Sequence, residues 1–303
     1  MSRLLNLGSL NLDLVYRIEH PLRPGETVAS QAFTRGAGGK GLNQSLAAAR
    51  AGINVAHAGS VGQDGGWLVD FLRADGVDVS RITRREDVPT GHAVILVAAS
   101  GENAIVLQGG ANHTIDSSAL DRMFEGFGPG DWFLTQNETS AVGAALRLAH
   151  EHGMRLAFNP APMSATVLDL PLDLVDLLVV NETEAAALAG TEDPATALAE
   201  LHARLPRTQI VLTLGAAGAW SSGPRGEARA VPPRVHVLDT TAAGDTFIGF
   251  LLASQMQGEA LESGLQLACR AAALSTTRAG AAASIPTLTE VLSLTAPEAP
   301  TRG

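Results

Sequence analysis

The chain has 303 residues, 46% hydrophobic and 17% charged, a balance typical of a globular protein with one large domain, or one large and one small. Its 21 basic and 31 acidic residues give a net charge of -10, which argues against nonspecific nucleic-acid binding and attachment to anionic lipid. The single cysteine excludes an intramolecular disulfide, and we find neither a signal-peptide core nor an apolar run of ~18 residues, so we expect a cytoplasmic protein without membrane spans.

Short apolar runs alternate along the chain with stretches rich in Ala and Leu. The runs predicted as strands are LLNLGSL, NVAHAGSVG, WFLTQN, RLAFNPA, LLVVNET and IVLTLG. Helices are predicted over residues 43–51, 141–152 and 182–189, each followed by a glycine that can take the left-handed C-cap conformation. The chain from Thr246 onward is predicted to be mainly helical. This alternation predicts an α/β fold with a mostly parallel central sheet and helices on both faces.

Two segments interrupt the alternation. Residues 14–33 are too long for a turn and are partly strand-like, and GHAVILVAASGENAIVLQGG (91–110) is typical of a β-hairpin with SGEN as its turn. We predict that strands within about 14–34 and 91–110 form a small accessory sheet. Such a sheet needs a bound ligand or a second subunit to cover its exposed face. The C-terminal TAPEAPTRG is predicted to be frayed.

The glycine-rich segment GAGGKGLNQ formally matches the dinucleotide-binding pattern G-x-G-x-x-G. That pattern should follow the first strand directly, but roughly thirty residues intervene here. A Walker loop is also excluded, because Thr34 stands where its first glycine belongs and Gly41 where its Ser or Thr belongs. What remains is either a backbone that approaches a ligand closely or a tight connector with Asn43 as a helix cap.

Polar side chains also follow the first predicted strand, in GSLNLD. Because side chains alternate along an extended segment, Asn11 and Asp13 lie on the same side of it. A carboxylate accepts hydrogen bonds and an amide both donates and accepts, so this pair can bind vicinal hydroxyls. A turn explains the same residues equally well.

Two later strands end in polar or glycine-rich segments. VVNETE places Asn181 and Glu184 at the carboxyl end of a strand, where open α/β sheets bind ligands. A carboxylate there can hold hydrated Mg²⁺ through its waters, although an N-cap Asn with a capping-box Glu is the alternative. LTLGAAG places Thr213 and Gly215 to line a nucleotide cleft.

TTAAGDTFIG puts Asp245 in the first turn of an apolar helix. An ordinary helix start explains an acid there, because it suits the helix dipole. The backbone amides of Ala242, Ala243 and Gly244 can also form an anion site, beside which a carboxylate could accept a hydroxyl proton. Together with Mg²⁺ bridging phosphates, this arrangement is suited to phosphoryl transfer.

Taken in order, GSLNLD, GGKGLNQSLAAARAG, NPAP, NETE, TLGAAG and DTTAAGDTF resemble the ribokinase-like (phosphofructokinase-B type) carbohydrate kinases over nearly the whole chain. The pairing of GGKGxNQ with DTxAAGDTF is highly specific. The resemblance implies one kinase domain over residues 1–303, with a β-sheet lid that often mediates homodimerisation. It also implies ATP-dependent phosphorylation of a sugar hydroxyl, with D-ribose to D-ribose 5-phosphate as the favoured reaction.

The resemblance further implies roles for individual residues. Asp245 would be the catalytic base, beside an anion hole formed by the amides of Ala242, Ala243 and Gly244. The sugar would be held by Asn11, Asp13, Gly39, Lys40, Gly41, Asn43, Glu138 and Asp245. ATP would contact Asn181, Thr213, Leu214, Gly215, Ala216, Ala217, Gly218, Gly244 and Cys269. Glu184 would hold Mg²⁺ through water, and K⁺ would be bound by Asp239, Thr241, Ser275, Arg278, Gly280 and Ser284.

Other functions stay open at this point. Aromatic residues make up only 4% of the chain, which argues against a nucleoside substrate because a base usually stacks on an aromatic ring. Glu138, Asn11 and Asp13 favour a compact polyhydroxylated substrate, and fructose and 2-keto-3-deoxygluconate meet that description. A catalytically silent sugar-binding relative is the alternative from another class, and the presence of Asp245 and Glu184 argues against it.

Overall fold

The computed structural model describes residues 2–294, so the segment predicted to be frayed, 295–303, lies outside the described residues. The strands are β1 (Leu4–Leu7), β2 (Asn11–Ile18), β3 (Ala32–Gly38), β4 (Val55–Val61), β5 (Asp78–Arg84), β6 (Gly91–Ala98), β7 (Asn103–Gln108), β8 (Trp132–Gln136), β9 (Arg155–Asn159), β10 (Leu177–Asn181), β11 (Gln209–Thr213), β12 (Ala219–Ser222) and β13 (Ala228–Ala230). The α-helices are α1 (Lys40–Arg50), α2 (Gly66–Ala74), α3 (Ser117–Phe124), α4 (Val142–Glu151), α5 (Glu182–Ala189), α6 (Pro194–Arg204), α7 (Ala243–Met256), α8 (Leu261–Ser275) and α9 (Leu288–Ser293).

Nine of the strands form one large sheet in the order β13-β12-β11-β10-β9-β8-β1-β4-β5. Every pair from β11 to β5 is parallel, and β12 and β13 extend the sheet as antiparallel strands. Because parallel strands end at the same edge, the segments that follow β1, β8, β9, β10 and β11 meet at one side of the molecule. The sheet confirms the predicted α/β fold.

The core lies on both faces of this sheet. Successive residues of a strand point to opposite faces, so Val179 of β10 packs with α1, α2, α7 and α8, whereas Val180 packs with the layer of α3 to α6. Strands buried on both faces must be apolar throughout, which is why the sequence shows them as continuous hydrophobic runs. The predicted C-cap glycines after α1, α4 and α5 have φ values of 93°, 70° and 79°, in the left-handed region.

The second sheet has four strands in the order β3-β2-β6-β7. β2 pairs with β6 in parallel and with β3 in antiparallel fashion, and β6 and β7 form the hairpin expected from the sequence. The strands extend beyond the segments predicted for them, since β2 begins at Asn11 and β3 continues to Gly38. β1 ends at Leu7, so Gly8 to Leu10 carry the chain from one sheet to the other. None of the helices within residues 2–294 has the length and apolar composition to traverse a bilayer.

Candidate active site

Asp245 lies in the first turn of α7, and only 8% of it is exposed. Its Oδ1 accepts a hydrogen bond from Gln44 Nε2 at 2.9 Å, and its Oδ2 accepts one from Asn43 Nδ2 at 2.9 Å. Burial raises the pKa of Asp245, and the charge of Lys40 and the two amide hydrogen bonds offset this only in part. A carboxylate has about four acceptor positions, so Asp245 can still accept a proton from a ligand hydroxyl.

The backbone leading into α7 presents amide groups beside Asp245. Ala242, the N-cap, has a left-handed φ of 61°, a conformation that costs a non-glycine residue about 1–2 kcal/mol. The Ala243 N–H donates to the Thr240 carbonyl at 3.2 Å, which engages one of the three amides predicted for the anion hole. Within the described residues, the N–H groups of Ala242 and Gly244 have no hydrogen-bond acceptor. Amides left unpaired at a helix N-terminus are suited to bind an anion.

The predicted sugar ligands Asn11 and Glu138 line a common cavity of about 340 Å³. Asn11 Oδ1 accepts a hydrogen bond from Asn112 Nδ2 at 2.8 Å, which orients the Asn11 amide. Glu138 Oε2 accepts hydrogen bonds from Ser9 Oγ at 2.5 Å and from the Lys40 backbone N–H at 3.1 Å. The second carboxylate oxygen of Glu138 is therefore available to a ligand hydroxyl.

The charges of several buried side chains interact in this site. They are the carboxylates Asp13, Glu138, Glu184 and Asp245 and the ammonium group of Lys40. Burial, followed by the negative charges of Glu138 and Asp245, raises the pKa of Asp13 to about 6. Burial alone would lower the pKa of Lys40, but the charges of Asp245, Glu138 and Glu184 outweigh it and raise that pKa above its ordinary value. Lys40 is therefore a permanent cation at neutral pH, held among acids.

Gly38 at the end of β3 packs closely against β2, and Gly41 in the first turn of α1 packs closely against Gly8 and Ser9, which join β1 to β2. A Cβ at Gly41 would lie 2.3 Å from Ser9 N, and a Cβ at Gly38 would lie 2.2 Å from Asp13 Oδ2. Both distances are well below the 3.0 Å that real Cβ contacts require. The glycines at these two positions thus make room for the protein's own chain, and one of them makes room for the Asp13 carboxylate.

Asn181 and Glu184 form the capping box at the start of α5 that was the alternative in the sequence analysis. Glu184 N donates to Asn181 Oδ1 at 2.8 Å, and Glu184 Oε2 accepts the Asn181 N–H at 3.0 Å. The Glu184 carboxylate is nevertheless only 6% exposed, and burial raises its pKa, while the Asn181 hydrogen bond and Lys40 lower it in part. Residues 2–294 contain no group of three or more His, Cys, Asp or Glu side chains placed to hold a metal directly. A single carboxylate fits only a hydrated Mg²⁺ held through water.

A mostly apolar cavity of about 530 Å³ lies next to the N-terminus of α7. Of the residues predicted to contact ATP, the ones that line it are Thr213, Gly215, Ala216, Gly218, Gly244 and Cys269. Leu214 is instead buried in the core, and Asn181 and Ala217 do not line this cavity. Burial raises the pKa of Cys269 to about 11, so its thiol is neutral and contributes only an apolar surface.

The predicted K⁺ ligands lie on two neighbouring segments, the loop 239–241 before α7 and residues 275–284, which run from the end of α8 through the loop that follows it. Asp239 Oδ1 accepts the Thr241 N–H at 2.9 Å, and its Oδ2 accepts the Gly280 N–H at 2.9 Å. Burial would raise the pKa of Asp239, but the hydrogen bond that Thr241 Oγ1 donates to Oδ1 at 2.6 Å and the two backbone hydrogen bonds outweigh it and hold the pKa below its ordinary value. The loops therefore meet around a carboxylate that stays ionised.

Two other predicted K⁺ ligands, Ser275 and Ser284, already form hydrogen bonds within the protein. The Ser275 carbonyl accepts the Arg278 N–H at 3.2 Å, so it already closes a turn. Ser284 is fully buried, and its Oγ donates to the Ala281 carbonyl at 2.8 Å, which leaves its oxygen lone pairs for a cation. The donor set is one of oxygens only, the type that suits a hard cation.

Sequence reasoning assigned no role to Ser9, Gln44 or Asn112, which hold Glu138, Asp245 and Asn11 in place. Ser9 and Gln44 belong to motifs quoted above, and Asn112 lies in a 3₁₀ helix after β7. Their roles depend on which strands are neighbours, and that information is not local in the sequence.

A buried acid beside open helix amides, with the adjoining Gly244 lining an apolar cavity, is the arrangement that an α/β small-molecule kinase needs. The model of the pfkB family of carbohydrate kinases matches residues 1–288. Ribokinase of Schizosaccharomyces pombe is 37% identical over 309 residues, covering 96% of this chain and 97% of that protein. Among solved structures, ribokinase of Cryptococcus neoformans with ADP has a TM-score of 0.85 at 35% identity, covering 96% and 99% of the two chains. Arabidopsis thaliana ribokinase with ribose and ATP has a TM-score of 0.87 at 28% identity, covering 96% and 98%. The chain belongs to the pfkB family of carbohydrate kinases.

Proposed function

We propose that this enzyme transfers the γ-phosphoryl group of ATP to the 5-hydroxyl of D-ribose. The observation that carries the proposal is the position of Asp245. Its carboxylate is held by Asn43 and Gln44, and the residue before it, Gly244, lines the apolar cavity. Relatives named ribokinase match nearly the whole chain, and this supports ribose as the substrate over other sugars. The Arabidopsis ribokinase structure contains ribose and ATP, which supports the same pair of substrates.

In this mechanism Asn11, Asp13 and Glu138 orient the sugar through its hydroxyl groups. Asp245 accepts the proton of the reacting hydroxyl as its oxygen forms a bond to the γ-phosphorus and the bond from that phosphorus to the ADP oxygen breaks. The Gly244 N–H group donates to the transferring phosphoryl group, whose negative charge it stabilises. Asn43 Oδ1 is buried without a partner among the described residues, so it suits a ligand hydroxyl donor.

Two ions belong to the proposal. Hydrated Mg²⁺, held through water by Glu184 near Asn181, would neutralise phosphate charge when bound. K⁺, held by Asp239, Ser284 and the carbonyls of Thr241, Ser275, Arg278 and Gly280, would supply positive charge near the amides that precede Asp245.

We also infer a homodimer that forms through the small sheet in the cytoplasm. Phe33 of β3 and Val106 of β7 are 52% and 67% exposed, and the strand register places both side chains on one face of the small sheet. Ile105, which is 58% exposed, points to the other face. An apolar face of this kind is more stable when a second copy covers it. The thiol form of Cys269 is compatible with a reducing compartment.

The proposal is tested by measuring ADP release with ATP and Mg²⁺ over a panel of ribose, fructose, 2-keto-3-deoxygluconate and nucleosides. The assay is run with K⁺ and with a large cation such as tetramethylammonium at the same ionic strength. We expect the highest kcat/KM with ribose, and a higher rate in K⁺. A higher kcat/KM for another substrate would replace ribose, and sugar binding without any ADP release would identify a silent relative.

A further inference from the structure

A chain of three buried side-chain amides lies beneath Asp245. Its members are Asn6 on β1, Gln136 at the end of β8 and Gln44 on α1, each at most 1% exposed. Gln136 Nε2 donates to Asn6 Oδ1 at 3.0 Å and to Gln44 Oε1 at 2.7 Å. Gln44 Nε2 in turn donates to Asp245 Oδ1 at 2.9 Å. We call Asn6, Gln136 and Gln44 the amide chain.

The direction of the amide chain is fixed at both ends by groups that can only accept. At one end Asn6 Nδ2 donates to the Gly41 carbonyl at 2.9 Å, so Asn6 must present its oxygen to Gln136. At the other end stands the Asp245 carboxylate. If Gln44 reversed its amide, its oxygen would face that carboxylate and its NH₂ group would face the NH₂ group of Gln136. One orientation therefore satisfies every link, and it always presents an N–H group to the base.

The amide chain carries no charge of its own. At its far end Ser45 Oγ accepts from Asn6 Nδ2 at 2.8 Å and contacts His57 Nδ1 at 2.8 Å, and burial lowers the pKa of His57 to about 4, so this imidazole is neutral at working pH. The charged groups around Asp245 come from other elements of the site and are Lys40 of α1, Glu184 of α5, Asp13 of β2 and Glu138 after β8. The amide chain acts on the base by orienting a donor and adds no charge to the site.

We propose that Gln136 and Asn6 are positioning residues for the catalytic base, acting through Gln44 to hold one oxygen of Asp245 in place and to favour its ionised form. This inference rests on the proposed role of Asp245. Neither residue contacts the base, so a sequence motif around Asp245 does not reveal them. Gln44 Nε2 also donates to Asn159 Oδ1 at 3.2 Å, so Gln136 and Asn159 together hold the Gln44 amide with its N–H group towards the carboxylate, and loss of Gln136 removes the partner of Gln44 Oε1.

The test is Gln136→Met, which keeps the length of the side chain and removes both donated hydrogen bonds. We expect kcat with ribose to fall about 10-fold to 10²-fold, because the base is no longer held in its reactive position. KM for ribose should change less than about twofold, since the sugar ligands are untouched. When the N–H donor of Gln44 is no longer fixed, the ionised form of Asp245 is less stable and its pKa rises. The acidic limb of the pH profile of kcat should therefore move to higher pH by about one unit.

The matched control is Gln209→Met. Gln209 lies at the amino end of β11, whereas Gln136 lies at the carboxyl end of β8. Gln209 is 4% exposed, and its Nε2 also donates two hydrogen bonds, to Ser221 Oγ at 2.8 Å and to the Gly226 carbonyl at 3.1 Å. We expect this variant to lose thermal stability as Gln136→Met does, without a shift of the pH profile. A similar shift in both variants would show a general loss of packing and would overturn the inference.

A second measurement does not depend on turnover. Carbon-13 NMR of protein labelled at the Asp carboxyl carbons gives the titration midpoint of Asp245, whose signal is the one absent from Asp245→Asn. The midpoint should rise by about one unit in Gln136→Met, or by less in Asn6→Leu if the first variant does not fold. An unchanged midpoint in a folded variant overturns the inference, whereas a missing ribose kinase activity in the unmodified protein overturns the proposed function instead.

Discussion

Replacing Asp245 by Asn is the most direct test of the active site. The two carboxylate oxygens accept one N–H each, from Asn43 and Gln44, and an Asn at this position can offer only one acceptor oxygen to these two donors. One donor then faces an NH₂ group, which costs about 1–3 kcal/mol of stability for an unsatisfied buried group. Removal of a buried charge whose pKa is raised opposes that loss, so we expect a net change in unfolding free energy below about 2 kcal/mol.

Turnover should respond far more strongly than stability. A positioned general base contributes about 10²-fold to 10⁴-fold, which corresponds to ~2.7–5.4 kcal/mol of activation free energy. Ribose binding should persist, because Asn11, Asp13 and Glu138 are unchanged. Initial rates of ADP release give kcat, and isothermal titration calorimetry gives the ribose affinity.

Asp131→Asn is the control for the same chemical change. Asp131 is also 8% exposed and binds the Arg3 backbone N–H at 2.9 Å and its guanidinium at 2.7 Å, but it lies before β8 at the opposite edge of the sheet. This variant should lose stability and keep its turnover. Near-normal kcat in Asp245→Asn would remove that residue from the role of base.

Two further predictions concern the sugar site and the small sheet. In the proposed mechanism Asp13 binds hydroxyls as a carboxylate, and burial raises its pKa to about 6, so KM for ribose should be constant above that pH and rise by up to about tenfold per unit below it. Asp13→Asn should bind ribose weakly without this rise, and a wild-type KM that is flat down to pH 5 would contradict the role given to Asp13. Val106→Glu places a charge on the exposed face of β7 and should convert the proposed dimer to a monomer in light scattering coupled to gel filtration, whereas Glu102→Gln in the nearby hairpin turn should not. Equal masses for Val106→Glu and the unmodified protein would exclude this face as the interface.

The elements best predicted from the sequence are those whose signal is local. Buried parallel strands show as continuous apolar runs, and the glycine after α5 marks the end of that helix. The small sheet was harder to delimit, because β2 continues from β1 after only three residues, Gly8 to Leu10. The parallel pairing of β2 with β6 joins residues about eighty positions apart, starting with Asn11 opposite Gly91. No local pattern reports such a pairing.

The site shows the same division between local and distant information. Asn181 and Glu184 gave two interpretations from the sequence, and the structure shows that the capping box is formed while the carboxylate still lies near Lys40. A helix cap and a ligand site are thus compatible uses of one motif. Gln44 stands next to Asn43 in the glycine-rich motif, but its role follows only from the convergence of α1, β8 and α7 on one point.

The balance of charge around Asp245 explains why the base needs so many neutral neighbours. A base is most effective when its pKa lies near the working pH, and burial raises the pKa of Asp245 in that direction. Burial acting alone would favour the protonated carboxyl, which cannot accept a proton. Lys40 opposes burial with its charge, but it is shared with Glu138 and Glu184. Hydrogen bonds from Asn43 and Gln44 stabilise the ionised form further without a second cation, which would compete for the phosphoryl group.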